Sequence, residues 1–320
     1  MKRPFFIVLM ILSIIYSCND SDKVADEISK INIDLKVSRF DKEYSNAKEA
    51  DISNLKKTYP YLFPAQYPDS VWVNQLKDTI QIELFSEVQK AFPEFNNEHD
   101  ELEALFQHIK YYFPKTKTPK VVTVTSYVDY RNRVILADSL LLIGLDNYLG
   151  AEHHFYKEIS EYIALGLDKK FLASDVANEY ISTKVAPSKD RTFLGRIIYY
   201  GKRLYLKDKL MPNADDTVKI GYTKEELAWA QENEDPIWRN FIEQEHLYST
   251  DAELSKRFLD PAPFSKFGLE LDIESPGRIG QYIGWQIVKV FMEKNEVSLE
   301  QLLSVPADEI LKKSNYKPKK

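Results

Sequence analysis

The sequence predicts an α+β fold that is mostly helical and carries a small mixed sheet. Three observations predict it. Apolar residues recur at helical spacing before residue 113 and after residue 173, short runs rich in branched residues cluster between residues 120 and 145, and turn formers bound each of those runs. With 320 residues, 44% of them hydrophobic, the chain has apolar side chains enough for a sizeable core.

The first 17 residues read as a leader. Lys2 and Arg3 form a charged start, the run from Pro4 to Ile14 is too short to span a bilayer comfortably, and Ile15-Tyr-Ser-Cys18 fits a lipobox. Residues 1–17 are therefore expected to be a lipoprotein signal peptide, cleaved before Cys18, whose thiol takes a diacylglyceryl group and whose new amino terminus is acylated. The plainer alternative is an uncleaved helix with an incidental cysteine. Cys18 is the single cysteine, so neither an intramolecular disulfide nor a thiolate metal site is available, and lipid on Cys18 is the only covalent group expected. Residues 18–30 are polar and read as a tether between lipid and domain, with one globular domain over 31–320.

Ile31, Ile33, Leu35 and Val37 alternate with polar residues, the period of a half-buried strand. Residues 51–70 are rich in proline and aromatics and are expected to be ordered but irregular, with Tyr59 to Phe63 packed in the core; an aromatic face for glycan is the alternative. Leu84, Phe85, Val88 and Phe92 mark one amphipathic helix, and Leu102, Leu105, Phe106, Ile109 and Tyr112 a second that Pro114 ends. Strands are predicted over 120–126, 133–137 and 140–145. Helical spacing returns from Ser174 and again from Arg191 to Lys207. Thr223 with Glu226, and Ser298 with Gln301, have the spacing of capping boxes, and Asp235-Pro236 restarts a helix. Residues 312–320 read as a basic tail, and no internal repeat is present.

The most constrained passage is Glu274-Ser-Pro-Gly-Arg-Ile-Gly-Gln-Tyr-Ile-Gly-Trp-Gln-Ile-Val288. Ser275 as N-cap and Pro276 at the first helical position predict a helix from Pro276. Each interior glycine costs about 1 kcal/mol relative to alanine, and Gly277, Gly280 and Gly284 would share a face. Such a face admits a close backbone, through tight helix packing or a cleft in which Glu274 and Arg278 serve docking. This passage, Cys18, Ile220-Gly-Tyr-Thr-Lys-Glu-Glu-Leu-Ala-Trp229, Asn233-Glu-Asp-Pro-Ile-Trp238 and Leu247-Tyr-Ser-Thr-Asp251 resemble the gliding-motility lipoprotein GldB family, over nearly the whole mature chain. The resemblance implies a lipoprotein held to a membrane by its lipid anchor, facing the periplasm or cell exterior. It implies a role in gliding motility and its associated secretion, with other proteins of that machinery as partners.

The order of sheet, paired helices and helical half also suggests the layout of a zinc-peptidase (zincin) fold. Such folds carry His-Glu-x-x-His on one helix, so that both imidazoles share a face, and a third ligand on the next. Laid onto that plan, the chain has Asn178-Glu179-Tyr180-Ile181-Ser182 for the motif and Tyr200 for the third ligand. Only the glutamate survives, so the fold would be a degenerate one without zinc, because an amide and two hydroxyls are poor zinc ligands. Elsewhere His99, His108, His153, His154 and His246 show no chelating i,i+3 or i,i+4 pair, and Glu243, Glu245 and His246 read as a charged surface. Asp129, Asp138 and Asp146 sit at strand ends as candidate acid–base carboxylates, with turn capping as the plainer role. A phosphate loop, a Gly-x-Ser-x-Gly elbow and a free thiol nucleophile are all missing.

The 43 basic against 49 acidic residues argue against a nucleic-acid partner. The expected function is a non-enzymatic envelope scaffold or interaction protein with no metal site, and the alternative is a peptide or cell-wall hydrolase.

Overall fold

The computed structural model describes residues 20–269 and 272–318, so Cys18 and the expected leader lie outside the described residues. The expected tether is a correction: residues Asp20–Ser29 form helix α1, which turns Ile28 inward to 4% exposure and accepts the Tyr111 hydroxyl on Glu27 at 3.1 Å. A polar sequence hid one apolar contact point. The alternation after it is real in burial, with Ile33 and Leu35 inside and Asn32, Asp34 and Lys36 outside, but pairing is confined to Val37–Ser38 (β1). The expected strand over 31–37 is thus mostly an extended segment without a ladder partner.

Residues 51–70 are also more regular than expected. After α2 (Phe40–Ser45), α3 (Ile52–Thr58) and a 3-10 turn at Pro60–Leu62 lead into α4 (Asp69–Lys77). Phe40, Tyr44, Tyr59 and Phe63 form one small aromatic core with Phe85, so the Tyr59 to Phe63 segment packs inward as expected. Next come α5 (Thr79–Ala91), capped by the Asp78 carboxylate, and α6 (Asn96–Tyr112), both on the predicted apolar faces. The sheet is completed by β2 (Lys120–Val124), β3 (Val134–Ala137) and β4 (Leu140–Gly144) in the order β1-β2-β4-β3. β2 runs parallel to β1 and β4, and β3 returns antiparallel to β4, so the sheet is mixed.

The second half is helical. A one-turn helix α7 (Glu161–Ala164) precedes α8 (Leu172–Ser182), and Thr192 caps α9 (Phe193–Leu210). α10 (Asp216–Ile220) ends at Gly221, whose φ of 76° suits a residue without Cβ. Both predicted capping boxes form: Thr223 with Glu226 on α11 (Lys224–Glu232), and Ser298 with Gln301 on α15 (Leu299–Ser304). Between them lie α12 (Glu234–Glu243), α13 (Glu253–Phe258) and α14 (Ile279–Lys294), and α16 (Ala307–Ser314) closes the chain. The expected basic tail is therefore partly a helix. It packs on α14, and beyond it Tyr316 is buried with its hydroxyl on Glu234 at 2.8 Å.

The glycine passage needs one correction and supports the simpler of its two readings. The helix starts at Ile279, three residues later than predicted, because Arg278 takes a left-handed conformation (φ 60°, ψ 25°). Ser275 does not cap it; its hydroxyl bonds the carbonyls of Ser265 (3.0 Å) and Asp272 (2.6 Å) and closes the preceding loop. Within the helix, Gly284 faces Gly201 of α9 so closely that a Cβ on either would overlap backbone of the other helix. Side-chain-free positions on both helices bring their axes together, and the contact buries Ile197, Ile283, Ile287 and Trp285 around it.

Candidate functional site

Where the sheet meets α8, α9 and α14, two cavities of 340 and 570 Å³ share Tyr130, Arg133, Asp175 and Asn178 and so form one cleft. Three parts of the chain build its walls. The loop from β2 to β3 brings Tyr130 and Arg131, α8 and α9 bring Asp175, Asn178, Glu179, Tyr200, Arg203 and Lys207, and the α10–α11 turn, with Arg278 bonded to it, lines the larger cavity.

The first wall is strained. Tyr127 and Val128 are consecutive left-handed residues at φ 56° and 58°, a costly conformation for a branched side chain. Asp146 holds them there. Its buried carboxylate accepts the backbone N–H of Ser126 at 2.9 Å and of Val128 at 2.6 Å, with the Ser126 hydroxyl at 3.2 Å. Burial pushes the Asp146 carboxyl up, and these donors pull against that shift.

Arg133 and Asp175 make a paired contact at 2.9 and 2.7 Å, and Tyr148 adds its hydroxyl to the same carboxylate at 3.0 Å. Asp175 is thereby committed to its neighbours. Lys207 is 4% exposed, and its amine donates to the Ser174 hydroxyl at 2.7 Å and the Lys219 carbonyl at 2.8 Å. Burial pulls its pKa down to about 7; Asp175 opposes this, while Arg203, Arg278 and Arg133 push the same way as burial. Burial pushes the Glu179 carboxyl above its ordinary range, against the pull of Arg203.

The positions laid onto a zinc-peptidase plan partly converge. Asn178, Glu179 and Tyr200 line the smaller cavity together, whereas Ser182 is exposed and donates to the Glu179 carbonyl at 2.6 Å. A carboxamide, a carboxylate and a phenol are a weak donor set for zinc. Elsewhere His99, Asp100 and Glu103 bring one ligand atom each within 4.8 Å of one another, on the outer face of α6. His153 meets Glu87 at 3.3 Å and His154 meets Glu83 at 3.0 Å, so α5 takes each histidine separately. His246 packs among Phe193, Phe241 and Phe258, turned away from exposed Glu243 and Glu245. The strand-end aspartates also part company: Asp146 is buried under its loop, Asp129 accepts the Asn132 amide at 2.9 Å, and Asp138 sits in the β3–β4 turn at φ 50°.

Arg278 lines the larger cavity and also closes α10, donating to the carbonyls of Ile220 at 3.1 Å and Gly221 at 2.8 Å over the ring of Tyr222. Glu274 is exposed and stands outside both cavity linings. Sequence reasoning missed Lys207 as more than the end of a helix. The signal was present: Tyr200, Arg203 and Lys207 recur at i, i+3 and i+7, one stripe of α9 that the cleft borders.

The chain matches the family model described as gliding motility protein GldB over residues 21–318. No curated protein and no solved structure matches it.

Proposed function

The chain belongs to the GldB family of gliding motility proteins, and from that membership we propose that it is a lipid-anchored envelope component that binds a partner of the motility machinery in its cleft without turning a substrate over. The observation that carries this is the content of the cleft. Where a zinc peptidase needs imidazoles and a carboxylate, the cavity has Asn178 and Tyr200, and the nearby Asp175 is held by Arg133 and Tyr148. What remains is a lined, polar recess suited to holding a chain segment.

The anchor is assigned to the Cys18 thiol, on the strength of the lipobox and the charged leader. Among the described residues no helix is long and apolar enough to cross a membrane. Glu179 favours the second reading, a peptide or cell-wall hydrolase, because a carboxyl raised by burial suits a general acid.

Elemental mass spectrometry of the chain dialysed against zinc, followed by incubation with a quenched-fluorescence peptide library and with peptidoglycan fragments, separates the two. The scaffold reading expects zinc well below one per chain and no cleavage of either substrate. Stoichiometric, tightly held zinc with turnover would replace it by the hydrolase.

A further inference from the structure

The chain as a whole is acidic, with a formal net charge of −6, yet its cleft is basic. Two of the cleft's cations are neutralised internally: Arg133 by Asp175, and Lys219 by Asp208 at 3.2 Å and Asp216 at 2.9 Å. Arg131, Lys170, Arg203, Lys207, Lys224 and Arg278 form no ion pair among the described residues. Facing them are three carboxylates outside any ion pair, Glu179, Glu225 and Glu226, and Glu226 is engaged in capping α11.

Such an arrangement costs free energy in the empty protein. Cations outnumber carboxylates in this recess, and a concave surface with an excess of one sign focuses its field rather than dispersing it. Burial is the main cause that lowers the Lys207 amine, Asp175 opposes it, and Arg203, Arg278 and Arg133 add to it. Among the described residues the lining carboxylates outside an ion pair, Glu179, Glu225 and Glu226, are fewer than these cations, so the geometry favours an anion from outside.

The lining narrows the class of anion. A lone phosphate fills a small part of a 570 Å³ cavity that runs on into one of 340 Å³. Between the cations stand apolar surfaces, with Tyr162 37% and Leu165 38% exposed at the mouth and Phe171 and Pro261 beside them. The side-chain amide of Asn178 makes no hydrogen bond within the described residues, which leaves it free for a backbone carbonyl or N–H. Alternating cations, apolar patches and an unused amide suit an extended segment carrying carboxylates and small apolar side chains.

We infer that the cleft between α8, α9, α10 and the start of α14 is a docking groove for an acidic peptide segment of another protein. The inference rests on the proposed binding role of the cleft, and it adds the chemistry of what binds.

The test uses the full chain in a neutral detergent and rhodamine-labelled short peptides of alternating Glu and Ala, with Gln–Ala and Lys–Ala counterparts, read by fluorescence anisotropy. The Glu–Ala peptide is expected to bind about tenfold or more tighter than the Gln–Ala one, to weaken as salt is raised, and to leave the Lys–Ala peptide unbound. Lys170 and Lys224 are exposed at the rim, so Lys170→Glu with Lys224→Glu should keep the wild-type melting curve while weakening binding about tenfold. Lys57→Glu, on the exposed face of α3, is the matched control and should leave binding unchanged. Equal binding of the Glu–Ala and Gln–Ala peptides overturns the inference, as does a rim double variant with unaltered affinity. So does failure of the Glu–Ala peptide where inorganic phosphate or phosphatidylglycerol vesicles bind through the same lysines. None of these failures touches the absence of turnover, which the zinc and cleavage measurements decide separately.

Discussion

Adding one methyl group where α9 crosses α14 should measure how much the fold depends on that contact. A Cβ on Gly284 would overlap the carbonyl oxygen of Ile197 and stand 2.6 Å from its carbonyl carbon, about 1 Å short of the separation at which carbon atoms rest. On Gly201 it would overlap the carbonyl of Gly284 and lie 3.0 Å from the nitrogen of Trp285. Backbone atoms cannot rotate away, so the helices must separate. On Gly280 the nearest atom is a Leu259 methyl at 2.9 Å, which can turn, and the backbone oxygen of Phe258 lies at 3.0 Å. Alanine returns about 1 kcal/mol of helix propensity at each site, while overpacking of a tight core costs about 1–3 kcal/mol and more where backbone is struck. Gly284→Ala and Gly201→Ala should therefore lose about 3 kcal/mol net, and Gly280→Ala less than about 1 kcal/mol. At about 2 cal/mol/K of unfolding entropy per residue, 3 kcal/mol is a drop of about 5 °C in melting temperature for a chain of this size. Circular-dichroism melts of the three variants check the order. A Gly284→Ala protein melting with the wild type, or a Gly280→Ala protein melting below both others, would refute the crossing geometry.

Three further outcomes follow from buried polar groups. Tyr316→Phe removes a 2.8 Å bond to the buried Glu234 carboxylate, should cost about 2 kcal/mol as a bond to a charged group, and should expose α16 to limited proteolysis before the rest of the chain. Asp146→Asn places an amide N–H₂ where the carboxylate accepts Ser126 and Val128; a loss of about 2 kcal/mol is expected, with faster amide hydrogen exchange in residues 126–130. Lys202, whose amine bonds the carbonyls of Leu303 and Val305, and Lys207 have pKa values that burial pulls down to about 8 and about 7. The unfolded chain then binds more protons than the folded one between those values and the ordinary lysine range, so these groups add stability as pH rises from about 7 to about 10. Relative to Lys207→Met, the wild type should gain up to about 1.4 kcal/mol per pH unit across that window, read from urea midpoints; a flat difference would show that Lys207 keeps its proton.

Much of this architecture was readable because local chemistry and tertiary demand agree. Thr223 with Glu226 and Ser298 with Gln301 cap helices where their spacing said they would, and the branched runs at 120–124, 134–137 and 140–144 are strands. The misses are places where a distant contact overrides a local signal. Ser275 and Pro276 look like a helix start, but Ser265 claims the Ser275 hydroxyl, and Arg278 turns left-handed to reach the end of α10. α1 and α16 are polar enough to read as tether and tail, and each is held by a few inward residues, Ile28 in one and Ile310 in the other, with Tyr316 just beyond. For the site, aligning Asn178, Glu179 and Tyr200 found three side chains that do share a cavity. The basic character of the cleft was not legible, because its cations come from segments up to about 150 residues apart in sequence and only the fold assembles them.

The most direct measurement is gliding by cells whose sole copy of the protein carries one of two changes, each at wild-type level and with a wild-type melting curve. Glu179→Gln keeps the shape of the cleft and removes the lining carboxyl that burial raises toward acid–base work, while Lys170→Glu with Lys224→Glu leaves Glu179 in place and inverts the charge at the rim. Binding without turnover predicts that the first strain glides and the second does not. A second strain that glides while the first is immobile would contradict it and return the cleft to catalysis.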